Sequence, residues 1–389
     1  MKPVYIVSWL FALAISFVSC DDWLDKTPKD RLYPDVYFKT EDELRLFTNQ
    51  FYNNLVPSAV DIYSESSDLI VKSDLMLEMS GQRIIPDEGN GWNFTALRDI
   101  NFYLQYSHNC TEVNARNRYD GVARFFRAYF YFEKVKRYGD IPWYDKALDS
   151  DDPELYKARD SREFVMQKML EDLDFAIANL PKTKNAYVLT RWTALALKSR
   201  VCLFEGTFRK YHGLEDYEKY LNACVSASET FMNESGYTLY KSGSTPYRDL
   251  FASINLQADE VIFGRDYEAS LSVLHNVQNY ENSTTMGRPG MNKKIVNSYL
   301  MADGSRFTDK AGYETMTFDQ ECQNRDPRLA QTIRTPGYTR IGSTKKEAPN
   351  LAYTMTGYHL IKYSMTANYD EYNKSCNDIP LFRTAEVYL

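Results

Sequence analysis

The stretch from Ala115 to Leu148, ARNRYDGVARFFRAYFYFEKVKRYGDIPWYDKAL, decides how the rest of the chain is read. Val122, Phe125, Tyr129, Phe132 and Val135 recur at intervals of three and four, with Phe126 and Phe130 beside them. That spacing predicts one amphipathic helix with a broad apolar face. Gly139 supplies a stop, and Pro142 keeps the helix from resuming. Six aromatic rings between Phe125 and Phe132 are too many for a solvated surface, so burial against neighbours on more than one side is expected. Arg124, Arg127, Lys134 and Lys136 fall mostly between the rings and read as a solvated edge pairing with nearby acids.

The flanking sequence carries more helices of the same kind. Thr40 with Glu43 predicts a capping box that opens a helix from Glu41 to Leu55, striped by Leu44, Phe47, Phe51 and Leu55. Residues 58–92 lose periodicity, and Trp92 to Tyr106 turns helical again. Beyond the acidic connection at Asp149 to Asp152, Asp160 or Ser161 caps a helix with Phe164, Met169, Leu173, Ile177 and Leu180 inward. Thr190 caps the next, as far as Gly206, and Glu215 to Met232 closes the run. Residues 41–235 thus alternate long helices with short loops, the pattern of a helical solenoid of degenerate, tetratricopeptide-like repeats. From Gly236 onward Gly, Pro, Ser, Thr and Asn dominate, with a short strand at Glu260–Gly264 and a short helix at Asn292–Leu300. This half, 236–389, is read as loop-rich but ordered.

Residues 1–19 read as a signal peptide rather than part of the fold. Lys2 precedes an apolar run from Val4 to Val18 that is too short for a membrane span. Ser19-Cys20 behind it resembles the lipobox of bacterial lipoproteins, whose cysteine carries acyl chains. Residues 20–40 then form a tether and extended arm, and Asp21-Asp22 also resembles a surface-export signal of Bacteroidetes lipoproteins. Cleavage before Cys20 leaves 45 basic against 53 acidic residues, from 46 and 53 in the whole chain. An acidic balance argues against nucleic acid as a partner. Among six cysteines and four histidines there is no C-x-x-C and no H-x-x-x-H pair, so neither a structural zinc nor another cofactor is expected.

Several stretches in order resemble the SusD/RagB family of outer-membrane nutrient-binding lipoproteins. They are Arg127-Ala128-Tyr129-Phe130 with Tyr138-Gly139-Asp140-Ile141-Pro142, Leu97-Arg98-Asp99-Ile100-Asn101, Ala194-Leu195-Ala196-Leu197, Tyr299 to Gly304, Asn324-Arg325-Asp326-Pro327-Arg328, and Asp378 to Tyr388. The resemblance implies a mainly α fold, a tetratricopeptide-like, right-handed helical superhelix supporting an irregular loop-rich half. It implies a non-catalytic protein, lipid-anchored at the outer membrane, that captures oligosaccharide or polysaccharide for a SusC-like TonB-dependent transporter. The family continues beyond the motif that ends here at Leu389, so the expectation is a chain truncated within its last helical repeat.

No G-x-S-x-G, H-E-x-x-H or phosphate loop is present. The acidic pairs, including Glu171, Asp172 and Asp174, read as solvated helix faces rather than a glycosidase pair. Sugar binding needs aromatic platforms with polar forks. Two loops supply both: Asp74, Arg83, Asn90, Trp92 and Asn93 within 66–94, and Asn276, Asn279, Tyr280, Asn282 and Arg288 within 276–291. Trp92 reads equally as a platform or as a core staple at a helix start. The competing function is a tetratricopeptide scaffold for proteins, or capture of a peptide nutrient at the same membrane.

Overall fold

The computed structural model describes residues 37–64, 68–87, 89 and 91–389. Cys20, the signal peptide and Asn90 therefore lie outside the described residues. Six long helices carry the first half: α1 Glu41–Leu55, α2 Thr95–Tyr106, α3 Val113–Tyr138, α4 Arg162–Asn179, α5 Arg191–Tyr211 and α6 Tyr217–Glu234. Their starts follow from side-chain caps. Glu43 N donates to Thr40 Oγ1 at 3.3 Å while Thr40 N donates to Glu43 Oε2 at 3.1 Å, closing the capping box. Ser161 and Thr190 accept from the backbone N–H of Phe164 and Thr193. α3 ends on Gly139 at φ +70°, a conformation a side chain resists.

The fold is mainly α and tetratricopeptide-like. α3 and α4 form one close pair, α5 and α6 another, and α4 packs on α5 to join them. α1 and α2 lie against the other side of α3. α3 is thus enclosed from several directions, which accommodates the buried rings of Phe125, Phe126, Phe130, Tyr131 and Phe132. One continuous core runs from Phe38 through these helices to Phe263, Phe382 and Val387.

Two polar expectations are corrected. Arg127 is not on a solvated edge, and Asp172 is not on a solvated face: they are 7% and 2% exposed. Arg127 Nε and Nη2 donate to Asp172 Oδ2 and Oδ1 at 2.6 and 2.7 Å, a two-pronged bond that makes burial tolerable. Phe164, expected inward, is 39% exposed, because α4 turns Val165 and Met166 to the core instead.

The second half is held by short elements. β1 Ile70–Val71 pairs antiparallel with β3 Gly290–Met291, and β2 Val261–Arg265 with β4 Ile379–Arg383. The repeat expected from Asp378 thus begins as a strand; Pro380, which lacks an N–H, stands opposite Gly264 in this two-stranded ladder. A short helix α7, Thr384–Tyr388, follows and packs against α5 and α6. The helix expected at Asn292–Leu300 spans Lys293–Ser298 and is capped by Asn292. Asp326 caps the turn at Pro327–Ala330, as an extended residue before proline can. No helix among the described residues is long and apolar enough to cross a membrane.

Candidate functional site

A cleft opens where α2 begins. Gly91 takes φ +83°, and Asn93 Oδ1 accepts from Thr95 N at 2.8 Å, so the chain turns tightly into α2. The turn leaves Trp92 at the rim, 39% exposed, its ring edge-on to Phe94 and Tyr138 at centroid distances of 5.3 and 4.9 Å. The cleft measures about 540 Å³. Phe94, Arg98 and Asn101 form one side, and Pro142, Tyr144, Lys146 and Leu148 from the segment after α3 form another. Lys157 and Arg159 complete it, with the Arg159 guanidinium 4.9 Å from the Trp92 ring centroid.

The buried ion pair reaches this wall through Asn101. Arg127 Nη1 donates to Asn101 Oδ1 at 3.2 Å, and Asn101 Nδ2 donates to the carbonyls of Tyr144 and Lys146 at 2.8 and 3.3 Å. Tyr131 stacks on Trp143 at 4.3 Å, and its hydroxyl accepts from Tyr144 N at 2.6 Å. Lys157 Nζ donates to the Trp143 carbonyl at 2.6 Å, and Trp143 N donates to Asp160 Oδ2 at 2.7 Å. Partial burial, then the nearby carboxylates Asp160, Glu154 and Asp152, push the Tyr144 hydroxyl above its ordinary pKa, so it stays a neutral donor to the Glu154 carbonyl. The cleft is therefore set in shape before any ligand arrives. A ring at the rim with amide, hydroxyl and guanidinium groups inside suits a polyhydroxylated ligand.

The residues singled out from the sequence do not converge. Trp92 and Asn93 stand at the cleft, though Asn93 spends its carbonyl on opening α2. Asp74 and Arg288 come near each other elsewhere, because the β1–β3 ladder continues to Ser73 N donating to the Gly287 carbonyl at 2.8 Å. Arg288, at φ +52°, donates to the Leu351 carbonyl at 2.8 Å and so braces a loop. Arg83 is exposed and pairs with Glu78 at 3.5 Å. Tyr280 is corrected: it lies in the helical turn Val277–Glu281 and, at 4% exposure, presents no ring face to solvent. Asn282 lines a second, polar cleft of about 490 Å³, where Arg334 pairs with Glu347 at 3.0 Å and Arg340 pairs with Asp370. Arg98, Tyr144, Lys146, Lys157 and Arg159 were missed, although cations interleaved with aromatics between Ile141 and Asp160 were visible in the sequence.

The profile of a family described as "starch-binding associating with outer membrane" matches residues 81–191, the segment that builds this cleft. The SusD family profile matches residues 250–389. Both are SusD-type families, and over these two segments the chain is similar to the SusD/RagB family. Three SusD-like proteins of Formosa agariphila are similar in sequence. P2 is 25% identical over 97% of this chain and 74% of its own length. P25 is 20% identical over 69% of this chain, and P38 24% over 64%. The chain spans about half the length of P25 and P38, with 52% and 50% covered. Among solved structures, a SusD-like protein from Bacteroides fragilis superposes with TM-score 0.71 at 20% identity, over 93% of this chain and 76% of that one. A SusD-like carbohydrate binding protein from the same species also gives 0.71, at 19% identity over 90% and 73%. A structure solved with a xylogluco-oligosaccharide gives 0.61 at 18% identity, over 89% and 69%. The SusD/RagB fold thus extends over nearly all of this chain.

Proposed function

We propose that this protein binds a glycan in the Trp92 cleft and performs no chemistry on it. The observation that carries this reading is the half-exposed Trp92 ring at the rim of a preformed cleft. A pyranose can lay its C–H face on that ring while its hydroxyls meet the Arg98, Lys146 and Arg159 heads. No described residue lining the cleft is a carboxylate, whereas glycoside hydrolysis needs two. Relatives named as carbohydrate-binding, or solved with an oligosaccharide, support the ligand class. Asp74 and Arg288, neighbours across the β1–β3 ladder, mark a second place where a long chain could touch; Arg83 flanks the same insertion.

In this reading Cys20 carries acyl chains, the protein sits at the outer membrane, and the captured glycan passes to a SusC-like TonB-dependent transporter. The lipobox-like sequence and the family's association with the outer membrane support the placement. The test is retardation in native gels containing single polysaccharides. At least one polysaccharide is expected to slow the protein, and Trp92→Ala to lose the retardation while keeping its helical circular dichroism. Unchanged retardation of Trp92→Ala, or release of sugar from any retained polymer, would overturn the reading.

A further inference from the structure

We infer that the Trp92 cleft selects acidic glycans, those carrying carboxylate or sulfate groups. The inference rests on the glycan reading and specifies its ligand. Four cations line the cleft, Arg98, Lys146, Lys157 and Arg159, and no described acidic residue does. The chain as a whole carries −7, so a cation-only lining is not a by-product of composition.

Three acids beside the cleft, Asp152, Glu154 and Asp160, are already committed. Lys146 Nζ pairs with Glu154 at 2.9 Å and Asp152 at 3.6 Å, and Lys157 Nζ pairs with Asp160 at 3.0 Å. These ties hold the two ammonium groups in place and neutralise them in part. Arg98 and Arg159 differ. Neither makes an ion pair with any described residue: Arg98 Nε donates to the Leu148 carbonyl at 3.2 Å, and Arg159 lies over Trp92. Each therefore keeps guanidinium N–H groups for a planar or tetrahedral oxyanion, the geometry a guanidinium matches with two parallel bonds.

The positive field extends behind the rim. Lys134 Nζ donates to the Gly91 carbonyl, and the Arg137 side chain approaches the same glycine. Cations gathered around a concavity with apolar walls raise the local concentration of anions. A neutral sugar would use Trp92 but would leave the charge of Arg98 and Arg159 unmet. A uronate or sulfate ester next to the stacked ring meets both demands.

Matched polymers test this directly. Polygalacturonate and its carboxyl-reduced form share a backbone, as do dextran sulfate and dextran; alginate, carrageenan, starch and xyloglucan widen the panel. Retention by at least one acidic polymer is expected, at least about tenfold stronger than by its neutral counterpart and falling steeply between about 50 and about 500 mM salt. The carboxylate and sulfate arms separate the two anion sources, and preference in either supports the inference. Arg98→Gln with Arg159→Gln is expected to abolish the preference for acidic over neutral polymer, with the circular dichroism unchanged. Neutral polymers bound as tightly as acidic ones, with no salt dependence, would overturn the acidic selection and leave the glycan reading standing. Absence of retention by every polymer would overturn both.

Discussion

Replacing Asp172 by alanine removes the partner of a guanidinium that is 7% exposed. Exposed ion pairs contribute about 0–1 kcal/mol, but stripping one partner from a buried pair costs about 3–5 kcal/mol, because the remaining charge stays desolvated. The contacts at 2.6 and 2.7 Å and the 2% exposure of Asp172 place this pair in the second class. Asp172→Ala is therefore expected to lose about 3–5 kcal/mol in urea unfolding followed by circular dichroism. The double replacement Arg127→Met with Asp172→Leu is expected to recover most of that loss, since it removes both buried charges and strips a partner only from the half-exposed Arg124, 3.6 Å from Asp172. Arg127 also steadies Asn101, which holds the Tyr144 and Lys146 carbonyls, so Asp172→Ala is expected to weaken glycan binding even where it remains folded. A loss below about 1 kcal/mol, the range of an exposed pair, would refute the argument.

Further expectations concern groups outside the cleft. His359 is fully buried, and desolvation, then the charge of Arg334, holds its pKa down at about 3, below the ordinary 6.5. The unfolded chain then takes up a proton below pH 6.5 that the fold refuses, so stability falls with falling pH. The advantage of wild type over His359→Gln is expected to shrink by about 1.4 kcal/mol per pH unit from pH 6.5 downward, measured by urea unfolding. Glu281 runs the other way: burial raises its pKa to about 7 from 4.5, so it stabilises when protonated, and that contribution is lost as pH rises through 7. Glu281→Gln is accordingly expected to gain on wild type between pH 5 and 8 in the same assay; a flat difference would contradict the assignment. Gly264→Ala would place a Cβ 2.6 Å from the Ile379 carbonyl oxygen and 2.7 Å from Leu256 Cδ1, prising β2 from β4. It is expected to lower stability by about 1–3 kcal/mol, and a melting temperature equal to wild type would contradict the packing.

Much of the helical half was legible because its signals are local. Thr40 with Glu43, Ser161 and Thr190 announce helix starts within four residues, and the rings from Phe125 to Phe132 announce burial. What escaped depends on partners distant in sequence. Arg127 looks like any helix-surface cation until Asp172 is placed beside it by the packing of α3 on α4. β4 was hidden because Pro380 argues against a strand and its partner β2 lies more than a hundred residues earlier. Tyr280 carried the right ring for a sugar platform, but its 4% exposure is decided by tertiary packing that the local sequence does not show. Trp92 was singled out, yet the companions around it were not. Lys146, Lys157 and Arg159 sit in aperiodic sequence, and bonds between distant residues, those of Asn101 to the Tyr144 and Lys146 carbonyls, Lys157 to Trp143 and Trp143 to Asp160, gather them into one cleft. The stretch from Ala115 to Leu148 has two roles: its helix is the spine of the fold, and its last residues are a wall of the cleft.

The most direct measurement is a crystal structure of the protein with an oligosaccharide cut from the polymer that retards it. A sugar ring is predicted within about 4 Å of the Trp92 ring, with hydroxyl or anionic groups on Arg98 or Arg159. Sugar found instead in the polar cleft between Arg334 and Asp370, with the Trp92 cleft empty, would contradict the account.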